Sequence, residues 1–228
     1  MKYKIKKVQI SCDGGAATGK STGAKMIAKK YNLKFLSSGL LYRYAGYLIL
    51  KYQPKNKIIF LKKKFKNLDY KKLNKINLHT PKISAYSAVI AKINEVRKIL
   101  KKFQINFSKT NKNCCIEGRD ISTKILPDST VKFFFKCNIN IASRRRYVEL
   151  RKFNSTIKLQ DVKKALRIRN ISDISRKNSP LLRHRDSVEI DTGKLNKQAM
   201  LKKMSKYVEK ALIEKYGHWR IKKRKSNS

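Results

Sequence analysis

The sequence has few acidic residues. Its 14 aspartates and glutamates stand against 58 lysines and arginines, which gives a formal net charge of +44. An excess of this size favours polyanionic partners. However, the lysines are spread over the whole length and form no single stripe or arm, which is typical of compositional drift in an AT-rich genome. We therefore expect weak, non-specific adhesion to polyanions and no specific nucleic-acid partner.

Long apolar runs are also missing. No window supplies the roughly 18 uninterrupted apolar residues that a membrane-spanning helix needs. The first residues, MKYKIKK, run straight into a predicted strand and leave no room for the apolar region of a signal peptide. We therefore expect a soluble cytoplasmic protein with no membrane partner. The 228 residues suit one domain with a single continuous core, and we expect a monomer.

Cysteine and histidine are scarce and do not cluster. No C-x-x-C pair indicates zinc or redox chemistry. Neighbouring Cys114 and Cys115 would point to opposite faces of a strand, so they cannot easily share a metal or a disulfide. We interpret the four cysteines as small buried hydrophobes in a reducing compartment: Cys12, Cys114, Cys115 and Cys137. The histidines, His79, His184 and His218, give no metal or triad signature.

The most informative stretch is residues 8–22, VQISCDGGAATGKST. It fits the phosphate-binding pattern G-x-x-x-x-G-K-[ST], follows a predicted strand and precedes a predicted helix at residues 23–31. Glycines let backbone N–H groups approach phosphates, Lys20 would reach the β- and γ-phosphates, and the Ser21 hydroxyl would complete a Mg²⁺ shell. The pattern predicts a site for ATP and Mg²⁺ formed by Gly14, Gly15, Ala16, Ala17, Thr18, Gly19, Lys20, Ser21 and Thr22.

Apolar segments alternate with amphipathic ones along the rest of the chain. Predicted strands occupy residues 33–36, 113–116, 130–137 and 187–191, and predicted helices occupy 40–52, 84–103, 138–153, 159–168 and 194–216. The run at 130–137 is strongly apolar, so we expect a buried central strand there. Strands that alternate with helices, with a phosphate loop after the first strand, indicate an α/β fold with a parallel sheet flanked by helices.

Two segments stand apart from this pattern. Residues 53–107 contain no predicted core strand, and we interpret them as an insertion that projects from the sheet and is capable of moving as a unit. Residues 218–228 have the composition of a basic, disordered tail. The chain is therefore one domain with smaller lobes.

Arginine replaces lysine where the predicted strands end. Arg43 lies one turn into the helix after the second strand, and the third strand delivers Glu117, Arg119 and Asp120 to the same edge of the sheet. Further arginines follow at residues 144–146, 167, 169 and 176. Because arginine is suited to bidentate phosphate contacts, this pattern favours transfer of a γ-phosphoryl group to a small anionic acceptor. Nucleotide hydrolysis that drives motion or signalling is the alternative chemistry.

Six motifs in the chain resemble, in order and spacing, those of the bacterial cytidylate kinases of the nucleoside monophosphate kinase group. They are DGGAATGKST at the loop, SSGLLYR from Ser37, SAVIAKINEVR from Ser87, EGRDISTKILPD from Glu117, ASRRRYVEL from Ala142 and RNISDISRKNSPL from Arg169. The resemblance covers most of the chain. It implies a phosphate-loop kinase with residues 53–107 as the nucleoside-monophosphate-binding insertion, residues 142–178 as a lid, and CMP and dCMP as acceptors.

The resemblance also implies residue roles. Lys20 and the lid arginines Arg144, Arg145 and Arg146 would stabilise the transferring phosphoryl group. Catalytic Arg176 would clamp the acceptor phosphate together with Arg43 and Arg119, and Ser38 would bind substrate beside them. The remaining acceptor contacts would be Ser87, Arg97 and Asp120 to cytosine, and Arg169 and Asp173 to the sugar.

The chain departs from the family pattern at three places. The family usually has Asp where this chain has Ser37, and an acidic and basic pair where it has residues 170–172, so ribose recognition and lid electrostatics are altered. The interval from Ser87 to Arg97 is one residue longer than usual. Either Ser84 takes the place of Ser87 or the helix carries a local bulge.

Two other functions are compatible with parts of the sequence. A related phosphate-loop kinase would act on UMP or another small anionic acceptor. A basic RNA-binding protein with a relict nucleotide site would use the lysine-rich surface instead.

Overall fold

Five parallel strands form one sheet in the order β2-β3-β1-β4-β5. The computed structural model describes residues 7–217, with the side chain of Asn74 excepted, so the predicted tail at 218–228 lies outside the described residues. The strands are β1 (Val8–Gly14), β2 (Lys34–Ser37), β3 (Asn113–Gly118), β4 (Val131–Lys136) and β5 (Val188–Asp191). The predicted parallel α/β sheet is confirmed.

The position of β4 in the sheet differs from the prediction. β1 pairs with β3 on one side and β4 on the other, so β1 and not β4 takes the centre. β4 is an interior strand, but Lys132 and Phe134 on one of its faces are only half-buried. The prediction that residues 130–137 form the central strand was therefore wrong in position, because hydrophobicity alone does not rank the interior strands of a sheet.

Helices cover both faces of the sheet. They are α1 (Lys20–Lys30), α2 (Ser38–Tyr52), α3 (Lys57–Lys66), α4 (Pro81–Ile90), α5 (Asn94–Thr110), α6 (Ile139–Arg151), α7 (Leu159–Ser175) and α8 (Lys197–Tyr216). A 3₁₀ turn (Tyr70–Lys75) and a π turn (Ile121–Ile125) complete the elements. Within residues 7–217, no helix combines the length and apolar character needed to span a membrane.

Residues 53–107 contain α3, the 3₁₀ turn, α4 and most of α5, joined by short non-helical segments, and the single helix predicted at 84–103 was wrong. Thr80 caps α4 by accepting from the Ile83 N–H, and Pro81 opens its first turn. The chain then turns, and Ile93 adopts an extended backbone with φ −83° and ψ 118° before α5 begins. The interval from Ser87 to Arg97 therefore spans a turn between two helices, and Ser84 and Ser87 both lie in α4.

Two core clusters lie on opposite faces of the sheet. One packs α2 to α5 against β2 and β3, and the other packs α1 and α8 against β1 and β4. Cys114 belongs to the first cluster, whereas Cys115 belongs to the second, with its Sγ 3.9 Å from that of Cys12. The expectation of opposite faces is confirmed. Cys137 is only half-buried, because it follows the end of β4, so its predicted burial was wrong.

A third, smaller cluster joins α6 and α7 to the loop after β1. Ala16 of that loop packs with Ala142, Val162 and Leu166, all of them buried. Residues 142–178 thus rest directly on the phosphate loop. This packing sets which side chains of α6 and α7 reach the carboxyl edge of the sheet.

Candidate active site

One cleft of about 1240 Å³ opens at the carboxyl edge of the sheet. Its walls come from the loop after β1, the ends of β2 and β3, the helices of residues 53–107, helices α6 and α7, and the segment after β5. In a parallel sheet all strands end at the same edge, so segments far apart in sequence converge there. The motifs of the sequence therefore meet in a single site.

The loop has the backbone geometry that phosphate binding requires. Ala17 and Gly19 adopt left-handed conformations with φ of 57° and 78°, and residues in such conformations are common in the backbone turns that bind anions. At Gly14 a Cβ atom would lie 2.4 Å from the carbonyl oxygen of Phe135, so only glycine fits against β4. Helix α1 starts at Lys20, directly under the loop, and its N-terminus adds partial positive charge.

Lys20 is buried and paired with a carboxylate. Its Nζ lies 3.4 Å from Glu117 Oε2 at the end of β3. Burial, followed by the charge of Arg119, lowers the pKa of Lys20 to about 8. Burial disfavours the ionised form of Glu117, but Lys20 and a hydrogen bond from Ser37 outweigh it and hold its pKa below the ordinary value. The pair is therefore ionised at neutral pH.

Ser37 links this pair to helix α2. Its hydroxyl accepts from the Leu40 N–H as the N-cap and donates to Glu117. Next to it, Ser38 is buried in the cleft wall. Ser37, which stands where the family usually has Asp, therefore contacts the carboxylate that pairs with Lys20.

Asp13, at the end of β1, is a buried group that sequence reasoning missed. Its carboxylate accepts from the N–H groups of Ile121 and Ser122 and from the Ser122 hydroxyl, at 2.6 to 2.7 Å. Burial raises its pKa to about 6 despite these bonds. Asp13 therefore anchors the π turn that follows Asp120. An acidic residue at the end of an otherwise apolar strand is the signal that could have found it.

Arg119 and Arg176 converge on one carboxylate. Arg119 Nε donates to Asp173 Oδ2 at 2.8 Å, and Arg176 Nη1 donates to Asp173 Oδ1 at 3.1 Å. The Nη2 atom of Arg176 is buried and has no hydrogen-bond partner among the described residues. A buried guanidinium nitrogen without a partner is costly, so this part of the cleft is suited to an anionic ligand.

Arg43 and Arg146 lie near each other on another wall of the cleft. Arg43 Nη1 donates to the Leu78 carbonyl oxygen at 3.2 Å and lies 3.1 Å from His79 Nδ1. Burial, followed by the charge of Arg146, lowers the pKa of Arg43 to about 10. Arg146 donates to Glu149 at 2.8 Å and to Ser84 Oγ at 3.5 Å. Helix α6 is thereby joined to the helices of residues 53–107 across the cleft.

Two members of the group predicted to read cytosine, Arg97 and Asp120, are in direct contact. Arg97 Nη2 and Asp120 Oδ2 form a largely buried ion pair at 2.7 Å, and the Arg97 guanidinium lies 5.8 Å from the centre of the Tyr42 ring. Ser87 donates to the Ser84 carbonyl oxygen, and both serines are buried in the cleft wall. The geometry therefore places both candidate serines beside the cleft.

The three consecutive arginines of α6 have three different surroundings. Arg146 lines the cleft beside Ser84, whereas Arg145 donates twice to Thr192 after β5, at 2.9 Å each. Arg144 is exposed and does not line the cleft. The prediction that consecutive arginines point in different directions around the helix is confirmed. Because of the way α6 packs, Arg145 and Arg146 line the cleft and Arg144 does not.

Helix α7 extends to Ser175, seven residues beyond its predicted end, and carries two predicted site residues. Arg169 lines the cleft, and burial followed by the charge of Arg119 lowers its pKa to about 10. Asn170 Oδ1 accepts from the Ala16 N–H at 3.2 Å, so the altered position binds the phosphate loop itself. Ser172 also lines the cleft.

Oxygen donors for a metal are few. The Ser21 hydroxyl lies near the Glu117 carboxylate and helps to lower its pKa, and residues 7–217 contain no group of three or more His, Cys, Asp or Glu side chains able to hold an ion. Mg²⁺ commonly takes one or two protein oxygens and completes its octahedron with waters and phosphate oxygens. Ser21 and Glu117 therefore fit Mg²⁺ that arrives with a triphosphate.

Solved structures share this fold. An uncharacterized protein from Eubacterium ventriosum has a TM-score of 0.54 at 14% identity, and 90% of this chain and 99% of that one are covered. Shikimate kinase from Bacteroides thetaiotaomicron has a TM-score of 0.51 at 10% identity, with 89% and 98% covered. These likenesses show the fold, a parallel α/β sheet flanked by helices, which in this chain carries a loop of the phosphate-binding pattern after β1.

Sequence comparison defines the family. A model of the cytidylate kinase family matches residues 10–210. Cytidylate kinase from Rickettsia africae (strain ESF-5) is 34% identical over 204 residues, which cover 88% of this chain and 91% of the relative. Cytidylate kinase from Bartonella tribocorum is 34% identical over 200 residues, with 86% and 91% covered. The chain belongs to the cytidylate kinase family.

Proposed function

We propose that the protein phosphorylates CMP and dCMP by direct in-line transfer of the γ-phosphoryl group of ATP. The observation that carries the proposal is a single cleft with a phosphate loop on one side and arginines from separate segments on the other: Arg43, Arg119, Arg146, Arg169 and Arg176. Such a cleft holds two phosphorylated ligands. An acceptor that is already a phosphate needs cationic clamps and no general base.

The donor half is the loop of residues 14–22. Its N–H groups would hold the phosphates of ATP, and Lys20 would leave Glu117 to follow the transferring charge. Ser21 and Glu117 would hold Mg²⁺, which neutralises charge on the phosphates when it is bound with ATP.

The acceptor half is the opposite wall. Arg43, Arg119 and Arg176 would clamp the phosphate of the monophosphate, and the free Nη2 of Arg176 supports this assignment. Arg97 and Asp120 supply a donor and an acceptor to a pyrimidine edge, with Ser87 or Ser84 beside them. Arg169 and Asp173 would contact the sugar. Residues 53–107 would then be the acceptor-binding lobe and residues 142–178 the lid.

A substrate panel tests the proposal. ADP release is measured by a coupled assay with ATP, Mg²⁺ and each of CMP, dCMP, UMP, AMP and GMP. CMP and dCMP should stimulate release most, and Lys20→Met, assayed below its own Tm, should abolish turnover, because it removes a charge that acts on the transferred group. No stimulation by any monophosphate would refute the proposal, whereas a preference for UMP would favour the related kinase.

A further inference from the structure

Thr192, the first residue after β5, is held firmly in place. Only 4% of its surface is exposed, and its N–H donates to the Lys136 carbonyl oxygen at 3.0 Å, which extends the pairing of β4 with β5 by one residue. Its side chain therefore has a fixed origin at the edge of the sheet. Nothing in the sequence pattern singled this threonine out.

The Thr192 hydroxyl binds the second half of the phosphate loop. Its Oγ1 donates to the Thr18 carbonyl oxygen at 2.8 Å, directly before Gly19, whose φ is 78°. A Cβ on Gly19 would lie 3.4 Å from both Oγ1 and Cγ2 of Thr192, so the threonine also packs against this turn. A carbonyl that is held by a protein donor is kept from facing an anion. The bond thus supports the orientation in which the loop amides serve phosphate.

The same hydroxyl binds an arginine of the lid region. Arg145 Nη1 donates to Thr192 Oγ1 and Arg145 Nη2 donates to the Thr192 carbonyl oxygen, both at 2.9 Å. This fork fixes the plane of the guanidinium beside Gly19, since a Cβ there would be 3.6 Å from Arg145 Nη1. Arg145 is therefore held on the donor side of the cleft, whereas Arg146 reaches Ser84 on the acceptor side.

We propose that Thr192 is a positioning residue for the donor half of the site, whose hydroxyl both shapes the phosphate loop at Thr18 and fixes Arg145 next to it. Binding of ATP then depends on this hydroxyl, whereas binding of the acceptor does not. The inference rests on the proposed function only in taking ATP as the donor and CMP as the acceptor.

The test compares Thr192→Val, which keeps the shape and removes the hydroxyl, with Thr192→Ser, which keeps the hydroxyl. A hydrogen bond lost from a buried site corresponds to roughly a tenfold change in an equilibrium constant. We expect the valine variant to raise KM for ATP about tenfold and to leave KM for CMP within twofold, and the serine variant to stay near wild type. Binding of ATP alone, measured calorimetrically, should weaken in the same way, and this readout holds even if CMP is not the acceptor.

Ser129→Ala is the matched control. Ser129 is 6% exposed and its hydroxyl pairs with that of Ser11 at 2.9 Å, outside the cleft lining, so its loss should lower stability without changing KM for ATP. If the valine variant does not fold, Thr192→Ala removes the same hydroxyl without placing a methyl group against the Thr18 carbonyl. An unchanged affinity for ATP, a proportional rise of both KM values, or a serine variant as impaired as the valine variant would overturn the proposal.

Discussion

Replacing Glu117 by Gln should shift the pH dependence of ATP use. Nζ of Lys20 is 3.4 Å from Oε2 of Glu117, and the two side chains are only 9% and 4% exposed. At an effective dielectric constant of about 20, two unit charges at that separation interact by about 5 kcal/mol. Glutamine keeps an acceptor for the Ser37 hydroxyl but leaves Lys20 without a counter-charge.

Two magnitudes follow from this change. Removing one partner of a buried ion pair lowers the free energy of unfolding by about 3 to 5 kcal/mol. For a chain of this length, that loss lowers Tm by roughly 6–20 °C. In addition, each 1.4 kcal/mol of lost pairing lowers the pKa of Lys20 by about one unit. That pKa is about 8 in the wild type, so it should fall to about 7 or below.

The assay is kcat/KM for ATP between pH 6 and 9.5, together with thermal unfolding. Because kcat/KM reports groups of the free enzyme and Lys20 acts as a cation, the wild-type value should decline as pH rises through about 8. In Glu117→Gln the decline should begin at least one pH unit lower, whatever the overall loss of rate. A decline of kcat/KM that begins at the same pH as in the wild type would refute the reasoning.

Glu149→Gln is the control for this experiment. Glu149 also pairs with a cation of the cleft, Arg146, but its side chain is 62% exposed. Exposed pairs contribute at most about 1 kcal/mol. Tm and the pH at which kcat/KM for ATP declines should therefore stay close to those of the wild type.

Two further predictions use matched pairs of variants. Arg146→Ala should lower kcat or raise KM for CMP at least tenfold, whereas Arg144→Ala should change either value less than twofold, because Arg146 lines the cleft and Arg144 does not. Equal effects of the two substitutions would contradict the placement of α6. Gly23→Ala should lower the free energy of unfolding by about 1–3 kcal/mol in denaturant titrations, since its Cβ would lie 2.7 Å from the Phe135 ring. Gly46→Ala should be neutral or stabilising, because its Cβ would meet nothing closer than 3.5 Å. A destabilised Gly46 variant beside an unchanged Gly23 variant would contradict this account.

Sequence patterns were sufficient to predict those elements that depend mainly on interactions between residues close in sequence. The glycine-rich loop between β1 and α1, all five strands and most helices follow from glycine placement and from the period of apolar residues, and the structure confirms these elements. The single helix at 84–103 was the main error, because an apolar period continues through the turn before Asn94 and no proline or glycine marks it. Helix α3 was missed because lysines obscure its apolar side, which buries Leu61 and Phe65.

The sequence by itself determined the class of the site. Its loop, the strand ends and the switch from lysine to arginine are properties of short segments, and parallel strands must bring their ends to one edge. Only the tertiary structure decided which side chains meet there. The rotation of α6 about its axis, which separates Arg144 from Arg145 and Arg146, is set by packing on Ala16, and the partners Asp13 and Thr192 touch residues more than 100 positions away. Contacts of that range leave no periodic trace in a single sequence, because each depends on how whole elements pack.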